Sequence, residues 1–420
     1  MSMRRVLPLA VLASAAFAAF AWPRAGAAPP SADWPQWRGP NRDGRVAGLA
    51  PRASWPETLT PGWKVAVGAG HASPIVSGDR VYQFSREGES EVVRALDLAS
   101  GRELWKQAYP AAYQMNPAAT GHGKGPKSTP TLADGRLVTF GITGTLSAWN
   151  AADGRLVWRK GFDASHRATS PVFGAAMSPA LDRGAVIAHV GGDGDGALVA
   201  LDAATGATLW SWKGDGPGYA SPVVATFDGV RQVVTQSQNA LVAVAADTGA
   251  LLWKVALRTP YEQNSVTPVV GGGLVVYTGL EAPLTAVRPV KKGTAFSLET
   301  VWTNPEVASY LSTPVLDSGR IYGLSHRKKG QWFCVDARSG RTLWLSDGRQ
   351  AENAAILAGA GALFLLDTDG AMTVAAADAT AFRPLRKWSL ASSATWAHPV
   401  VLDAGILVKD VDTLAFVRTR

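Results

Sequence analysis

The sequence predicts an all-β fold, an eight-bladed β-propeller of four-stranded antiparallel blades, and three observations carry that expectation. A hairpin signature recurs five times with one spacing, a Ser/Thr-Pro step recurs upstream of such hairpins, and short apolar segments alternate with turns throughout. The 420 residues include 44 Gly, 26 Pro and 16 Trp, and candidate segments rarely pass eight residues before Gly, Pro or Asp-Gly intervenes, which disfavours long helices. Hydrophobic residues make up 47% and charged residues 18%, so a large core can be buried and extensive disorder is excluded.

The first residues read as an address. Arg4 and Arg5 precede an apolar stretch from Val6 to Ala21, and Ala25-Gly26-Ala27 offers a small-residue cleavage site, so residues 1–27 are expected to be a signal peptide. The stretch is interrupted by Pro8 and is shorter than the roughly 20 residues a membrane span needs; a single-span anchor is the alternative. Residues 28–59 are expected to form an N-terminal extended strap. Its Trp34, Trp37 and Trp55 lie among Pro and Gly, and packing against the ring is favoured over a partner-docking tag because three exposed indoles would invite aggregation.

The propeller occupies residues 60–420. Its hairpins are ALDLASGRELW (95–105), AWNAADGRLVW (148–158), ALDAATGATLW (200–210), AVAADTGALLW (243–253) and CVDARSGRTLW (334–344). A small residue stands ten positions before each Trp, leaving room for the indole, and Gly stands four before it. Asp97, Asp202 and Asp336 are placed to hydrogen-bond the turn, while Gly101, Gly206, Gly249 and Gly340 supply the positive φ that closes it. Each returning strand buries a Trp of about 200 Å².

Ser or Thr followed by Pro opens the innermost strand at 73–74, 129–130, 178–179, 221–222, 267–268 and 313–314, where a missing N–H costs least. One unit is then four short strands. Residues 266–303, ending at Trp302, and 353–391, with Trp388, are degenerate copies. Residues 396–419 hold three strands and lack a fourth, which PGWKVAV (61–67) supplies with Trp63. This N-terminal strand is expected to pair with the last blade and so remove an exposed edge. Seven blades is the alternative if one degenerate unit is only a loop.

Charge and cysteine content remove several function classes. The net charge is +8, but it is spread thinly, and Lys291-Lys292 and Arg327-Lys328-Lys329 read as loop tips, so no nucleic acid is expected as a partner. Cys334 is the single cysteine, which excludes an intramolecular disulfide and a cysteine metal cluster; no Cys follows the leader to carry a lipid. The mature chain is therefore expected to be exported, periplasmic or extracellular, soluble, monomeric and not lipidated.

The hairpin A-x-D-x-x-[ST]-G-x-x-x-W resembles the tryptophan-docking motif of the quinoprotein alcohol dehydrogenase-like superfamily, and residues 60–420 resemble a PQQ-binding-like β-propeller repeat protein. DWPQWRGPNRDG (33–44) is similar to the leading segment of exported members. The blade count also resembles the BamB-like propeller of the outer-membrane barrel-assembly machinery. That resemblance implies a non-catalytic scaffold assisting envelope protein assembly. The dehydrogenase resemblance implies instead a PQQ-dependent oxidoreductase acting on an alcohol or sugar, with PQQ and Ca²⁺. Such a site needs an aromatic floor, cations for the PQQ carboxylates and a carboxylate base. The adjacent cysteine pair of alcohol-oxidising members is absent, and no Glu, Asn and Asp set resembles their calcium site. No cofactor and no catalytic residue is assigned on the scaffold reading.

Residues just upstream of the inner strands should ring one mouth of the channel: His71, Lys127, Arg167, Tyr219, Asn264, Tyr310, Asn353, Trp396 and His398. Their mixture of aromatic and hydrogen-bonding side chains suits a protein or small-ligand partner. GGDGDG (191–196) lacks EF-hand spacing and reads as a strand connection, GHGKG (121–125) lacks Walker spacing and reads as an inter-blade loop, and the six histidines have no paired metal spacing. Cys334 fills the small-residue place of its hairpin and reads as an inert thiol.

Overall fold

The computed structural model describes residues 33–419. The signal-peptide expectation lies outside the described residues. Alternating residues, turn glycines and small cross-strand partners produce eight sheets of four antiparallel strands each. Blade 1 comprises Ile75–Ser77, Arg80–Glu87, Ser90–Asp97 and Glu103–Pro110, from the channel outward. Blades 2 to 7 repeat this order, with inner strands starting at Thr131, Ala180, Val223, Val269, Val315 and Ala354. Blade 8 is composite: Val400–Leu402, Gly405–Lys409 and Thr413–Arg418 are completed on the outside by Thr60–Ala66. Trp63 stands opposite Phe416 in that pairing. The ring therefore closes as the sequence predicts, and the seven-blade alternative falls away.

The docking hairpins show why their spacing is fixed. Ala95, Ala148, Ala200, Ala243 and Cys334 face Trp105, Trp158, Trp210, Trp253 and Trp344 across the sheet, and a register shift follows each of the five pairs. The Asp97 carboxylate accepts from the Ser100 N–H and hydroxyl, and Asp202 and Asp336 repeat that turn. Each turn also receives the indole of the preceding blade. The Nε1 of Trp63 donates to the Leu98 carbonyl at 2.8 Å, Trp105 to Ala151 at 3.1 Å, Trp158 to Ala203 at 3.0 Å and Trp210 to Ala246 at 2.9 Å. A Cβ on Gly101 would lie 2.6 Å from the Trp63 ring, so glycine is required for contact as well as for φ.

Two junctions depart from this pattern. Blade 5 replaces the docking turn with the long hairpin Ala282–Lys292 and Ala295–Asn304, and Trp253 turns its Nε1 to Gln232 of its own blade at 2.7 Å. Blade 8 offers Trp388 no docking turn; its indole donates to the Pro56 carbonyl of the strap at 3.2 Å.

The Ser/Thr-Pro steps do more than begin strands, and each Pro lies just before its strand rather than in it. The N–H of Ser73 donates to the Thr129 hydroxyl at 3.1 Å, Thr129 to Ser178 at 3.0 Å, Ser178 to Ser221 at 2.9 Å, Ser221 to Thr267 at 3.0 Å and Thr267 to Thr313 at 3.2 Å. Neighbouring blades are thus laced together around the channel. Blade 7 lacks the step, and its Ala354 N–H reaches the Ser312 hydroxyl instead.

The segment 33–59 crosses the ring. Trp34 exchanges both backbone hydrogen bonds with Val76 of the blade 1 inner strand, and the Pro35 carbonyl accepts from Leu132 of blade 2. Residues 37–44 then turn into the channel. Arg45 and Val46 run alongside Ala358 of blade 7, and Trp55 packs edge-on against Phe364 and Trp388, with ring centroids 5.3 and 6.1 Å away. Trp34 and Trp55 are buried and Trp37 is half-buried. No helix among the described residues is long and apolar enough to cross a membrane.

Candidate functional site

The turn inserted in the channel is held by two buried guanidinium groups. Arg38 donates to the carbonyls of Thr313 and Pro314 in blade 6 and of Ile356 in blade 7, at 3.0, 2.7 and 3.3 Å. Arg42 donates on the opposite side to Ser178, Pro179 and Pro222, at 2.8, 2.9 and 3.1 Å. Both residues have positive φ, 63° and 58°, a conformation costing about 1–2 kcal/mol per residue. Three charge-assisted hydrogen bonds each offset that cost. Burial pushes Arg38 down to about 10 and Arg42 to about 9. Gly44 has to be glycine, because a Cβ would lie 2.5 Å from the Arg38 guanidinium.

Above this turn, at the end where each outer strand connects to the next inner strand, lies a cavity of about 210 Å³. Six of the predicted mouth residues line it: His71, Lys127, Tyr219, Tyr310, Trp396 and His398. His71 stacks on Trp396 with centroids 5.8 Å apart and planes 21° from parallel. His122 meets the same indole edge-on at 5.2 Å, and Phe173 lies edge-on to Tyr219 at 5.9 Å. Trp37 comes from the inserted turn and touches His398 edge-on at 5.2 Å. The backbone holds this wall closely: the His71 N–H donates to Pro126 at 2.8 Å, and Gly125 packs so tightly on Gly70 that a Cβ would lie 2.4 Å from its Cα.

Three predicted residues lie apart from the cavity. Arg167 is exposed on the loop after blade 2, and its N–H and side chain meet Asp195 at 2.8 and 3.4 Å. Asn264 is fully buried, and its side-chain amide bonds the carbonyls of Ser237, Gln238 and Leu257, so it clasps a connection instead of facing ligand. Asn353 is buried beside blade 7, where its carbonyl accepts from Thr368. GGDGDG is the turn of the middle hairpin of blade 3, and its carboxylates anchor the loop before it: Asp195 holds His166 and Arg167, and Asp193 accepts from Val172 at 3.0 Å.

Sequence reasoning missed Trp37, His122 and Phe173. His122 was visible in GHGKG but sits eight residues before Pro130, and Phe173 lies six before Pro179, on a loop for which the sequence put forward Arg167, twelve before it.

The electrostatics of the cavity are one-sided. Burial, with Lys127, His122 and Lys409 nearby, pushes His71 down to about 3; burial beside Arg38 brings His398 to about 3. Burial also lowers Lys127 and Lys409 to about 8 each. Lys409 donates to the carbonyls of Gly70, Asp410 and Val411, and Lys127 to that of Phe173. The histidines are neutral at pH 7, and no carboxylate among the described residues lines the cavity.

That donor set can be tested against PQQ with Ca²⁺. Stacked rings and Lys127 suit a planar anion, but a calcium ion calls for several oxygen ligands with carboxylates among them, and the described lining offers hydroxyl and amide oxygens without a carboxylate to bind the ion or to act as base. Among the described residues no group of three or more His, Cys, Asp or Glu is arranged to hold a metal. The cavity does not fit the calcium-bound quinone.

A family model described as outer membrane protein assembly factor BamB matches residues 88–346. No curated protein matches the chain in sequence. Among solved structures, the fold is similar to BamB from Moraxella catarrhalis, with 16% identity, a TM-score of 0.61, and coverage of 86% of this chain and 98% of that one. It is also similar to the quinohemoprotein alcohol dehydrogenase from Comamonas testosteroni, with 14% identity, a TM-score of 0.63, and coverage of 92% and 80%. The computationally designed Ika8 protein shares the fold at 15% identity and a TM-score of 0.55, covering 87% of this chain and 100% of that one.

Proposed function

This chain belongs to the family described as outer membrane protein assembly factor BamB, and on that premise we propose that it is a rigid, non-catalytic platform of the cell envelope. It is exported, acts as a monomer, and binds a peptide segment or small ligand in the mouth cavity while assisting the assembly of envelope proteins. The observation that carries this reading is the cavity wall itself: stacked and edge-on rings, neutral histidines, and no carboxylate to serve as base or calcium ligand. A wall of this kind favours recognition over proton transfer. The outer strands of blades 2, 3 and 4 add support, since Leu156, Val157, Leu209 and Leu251 are exposed along strand edges open to an added strand.

The rival reading is a PQQ-dependent oxidoreductase, and one experiment separates the two. The purified protein is incubated with PQQ and Ca²⁺, desalted, and assayed for dye-linked alcohol oxidation. In parallel, a photo-crosslinker is placed at Tyr310 in native envelopes. The platform predicts no retained chromophore, no turnover and a crosslinked polypeptide; a retained quinone with turnover, or no crosslink above background, overturns it.

A further inference from the structure

A second chamber, of about 780 Å³, opens on the opposite end of the channel, beneath the inserted turn. Its walls are the inner strands of blades 4 to 6 and their turns, and its roof is residues 38–45. Among the described residues, five arginines line it, Arg38, Arg42, Arg45, Arg288 and Arg338, against the single lining carboxylate of Asp43. Asp43 is itself engaged, accepting from the Arg45 N–H at 2.9 Å. The Arg45 side chain meets Asp317 at 3.2 Å but stays more than half exposed.

We propose that this chamber is a binding site for a compound bearing two or more phosphate groups. Three different elements converge on it: Arg45 from the strap, Arg288 from the third strand of blade 5 and Arg338 from the docking turn of blade 6. Arg288 and Arg338 are exposed, and neither has an ion-pair partner among the described residues. The guanidinium fork matches phosphate oxygens in pairs, and separated forks reward an anion with several such groups over a lone carboxylate. Arg38 and Arg42 spend their donors on carbonyls, so they contribute fixed positive charge behind the site without competing for the ligand. Open space beside the positive-φ turns at Gly272 and Gly319 leaves the entrance unobstructed.

The proposal is independent of the mouth cavity, which lies on the other side of the turn. The test is calorimetric titration of the purified protein with tripolyphosphate at low salt, on wild type, the double variant Arg288→Ser/Arg338→Ser, and Lys387→Gln, on the exposed outer strand of blade 7, as a control away from both chambers. Saturable binding is expected, weakened tenfold or more in the double variant, unchanged in Lys387→Gln, and falling as salt is raised. A parallel flotation arm uses vesicles with and without cardiolipin. Capture by cardiolipin vesicles that the double variant loses assigns the phosphates to a lipid headgroup; tripolyphosphate binding without capture assigns them to a soluble compound. Absence of both, equal binding by the folded double variant, or tighter binding of a polyglutamate peptide than of tripolyphosphate overturns the proposal.

Discussion

The backbone N–H of His398 donates to the Ser73 hydroxyl at 2.8 Å, joining the last blade to the first at the channel wall. It continues the lacing of Ser and Thr hydroxyls that runs from blade 1 to blade 6. The hydroxyl acts as acceptor at each step, so shape alone cannot replace it.

Thr129→Val is therefore expected to destabilise the protein by about 1–3 kcal/mol, because the buried Ser73 N–H loses its acceptor while the volume is kept. Thr129→Ser should cost less, since it retains the oxygen. Equilibrium denaturation in urea, monitored by tryptophan fluorescence, reads the difference.

Two glycines of blade 2 separate backbone strain from docking. Gly135 and Gly154 have φ of +72° and +75°, but a Cβ on Gly135 meets nothing within 4 Å, whereas one on Gly154 would lie 2.6 Å from the Trp105 ring. Gly135→Ala should cost about 1 kcal/mol. Gly154→Ala should cost at least twice that and blue- or red-shift the tryptophan emission of the native state, which Gly135→Ala leaves unchanged.

His189 is buried with its Nε2 facing the Asp215 carbonyl at 3.1 Å, and burial brings it down to about 4. Its folded value lies below the unfolded 6.5, so the unfolded chain binds more protons between those limits, and stability falls as pH drops from about 6.5 towards 4. The slope from one such histidine is at most about 1.4 kcal/mol per pH unit. His189→Gln should flatten the stability profile over that window. Asp195 and Asp378, held down to about 2 by their hydrogen bonds, change the profile only below about 3.8.

Arg42→Lys should fail to rescue Arg42→Met. A single ammonium cannot reproduce the fork that reaches Ser178, Pro179 and Pro222 together, so both variants are expected to lose about 3 kcal/mol or more. The same denaturation assay measures both.

The Cys334 thiol faces Trp344 and is fully buried, and burial pushes it up to about 12. A thiol-reactive dye should label native protein only at the rate of global unfolding, and stoichiometrically in denaturant. Fast labelling without denaturant would show that blade 6 opens locally.

Much of the ring was legible because its joints are made of side chains with one spacing: a small residue, a turn Asp, a Gly and a Trp. Trp63 could be assigned to blade 8 because the last blade lacked a fourth strand. The inserted turn was not legible. Arg38 and Arg42 bind carbonyls of Thr313, Pro314, Ser178 and Pro179, and a carbonyl leaves no signature in sequence. Where a Ser/Thr-Pro step follows by three or four residues, His71, Lys127, Tyr219 and Tyr310 line the cavity, but Asn264, before the same kind of step, turns its amide to the carbonyls of Ser237, Gln238 and Leu257. Asn353, in blade 7 where the step is missing, and Arg167, which Asp195 draws away from 28 residues downstream, lie apart from it.

Because Trp37 looks into one chamber and Arg45 into the other, the turn carrying both stands between them. The two faces are of unlike character, an aromatic one and a cationic one, eight residues apart along the chain. Were each to take the occupant proposed for it, the two would not compete, and a single copy would hold unlike partners in proximity without exchanging them.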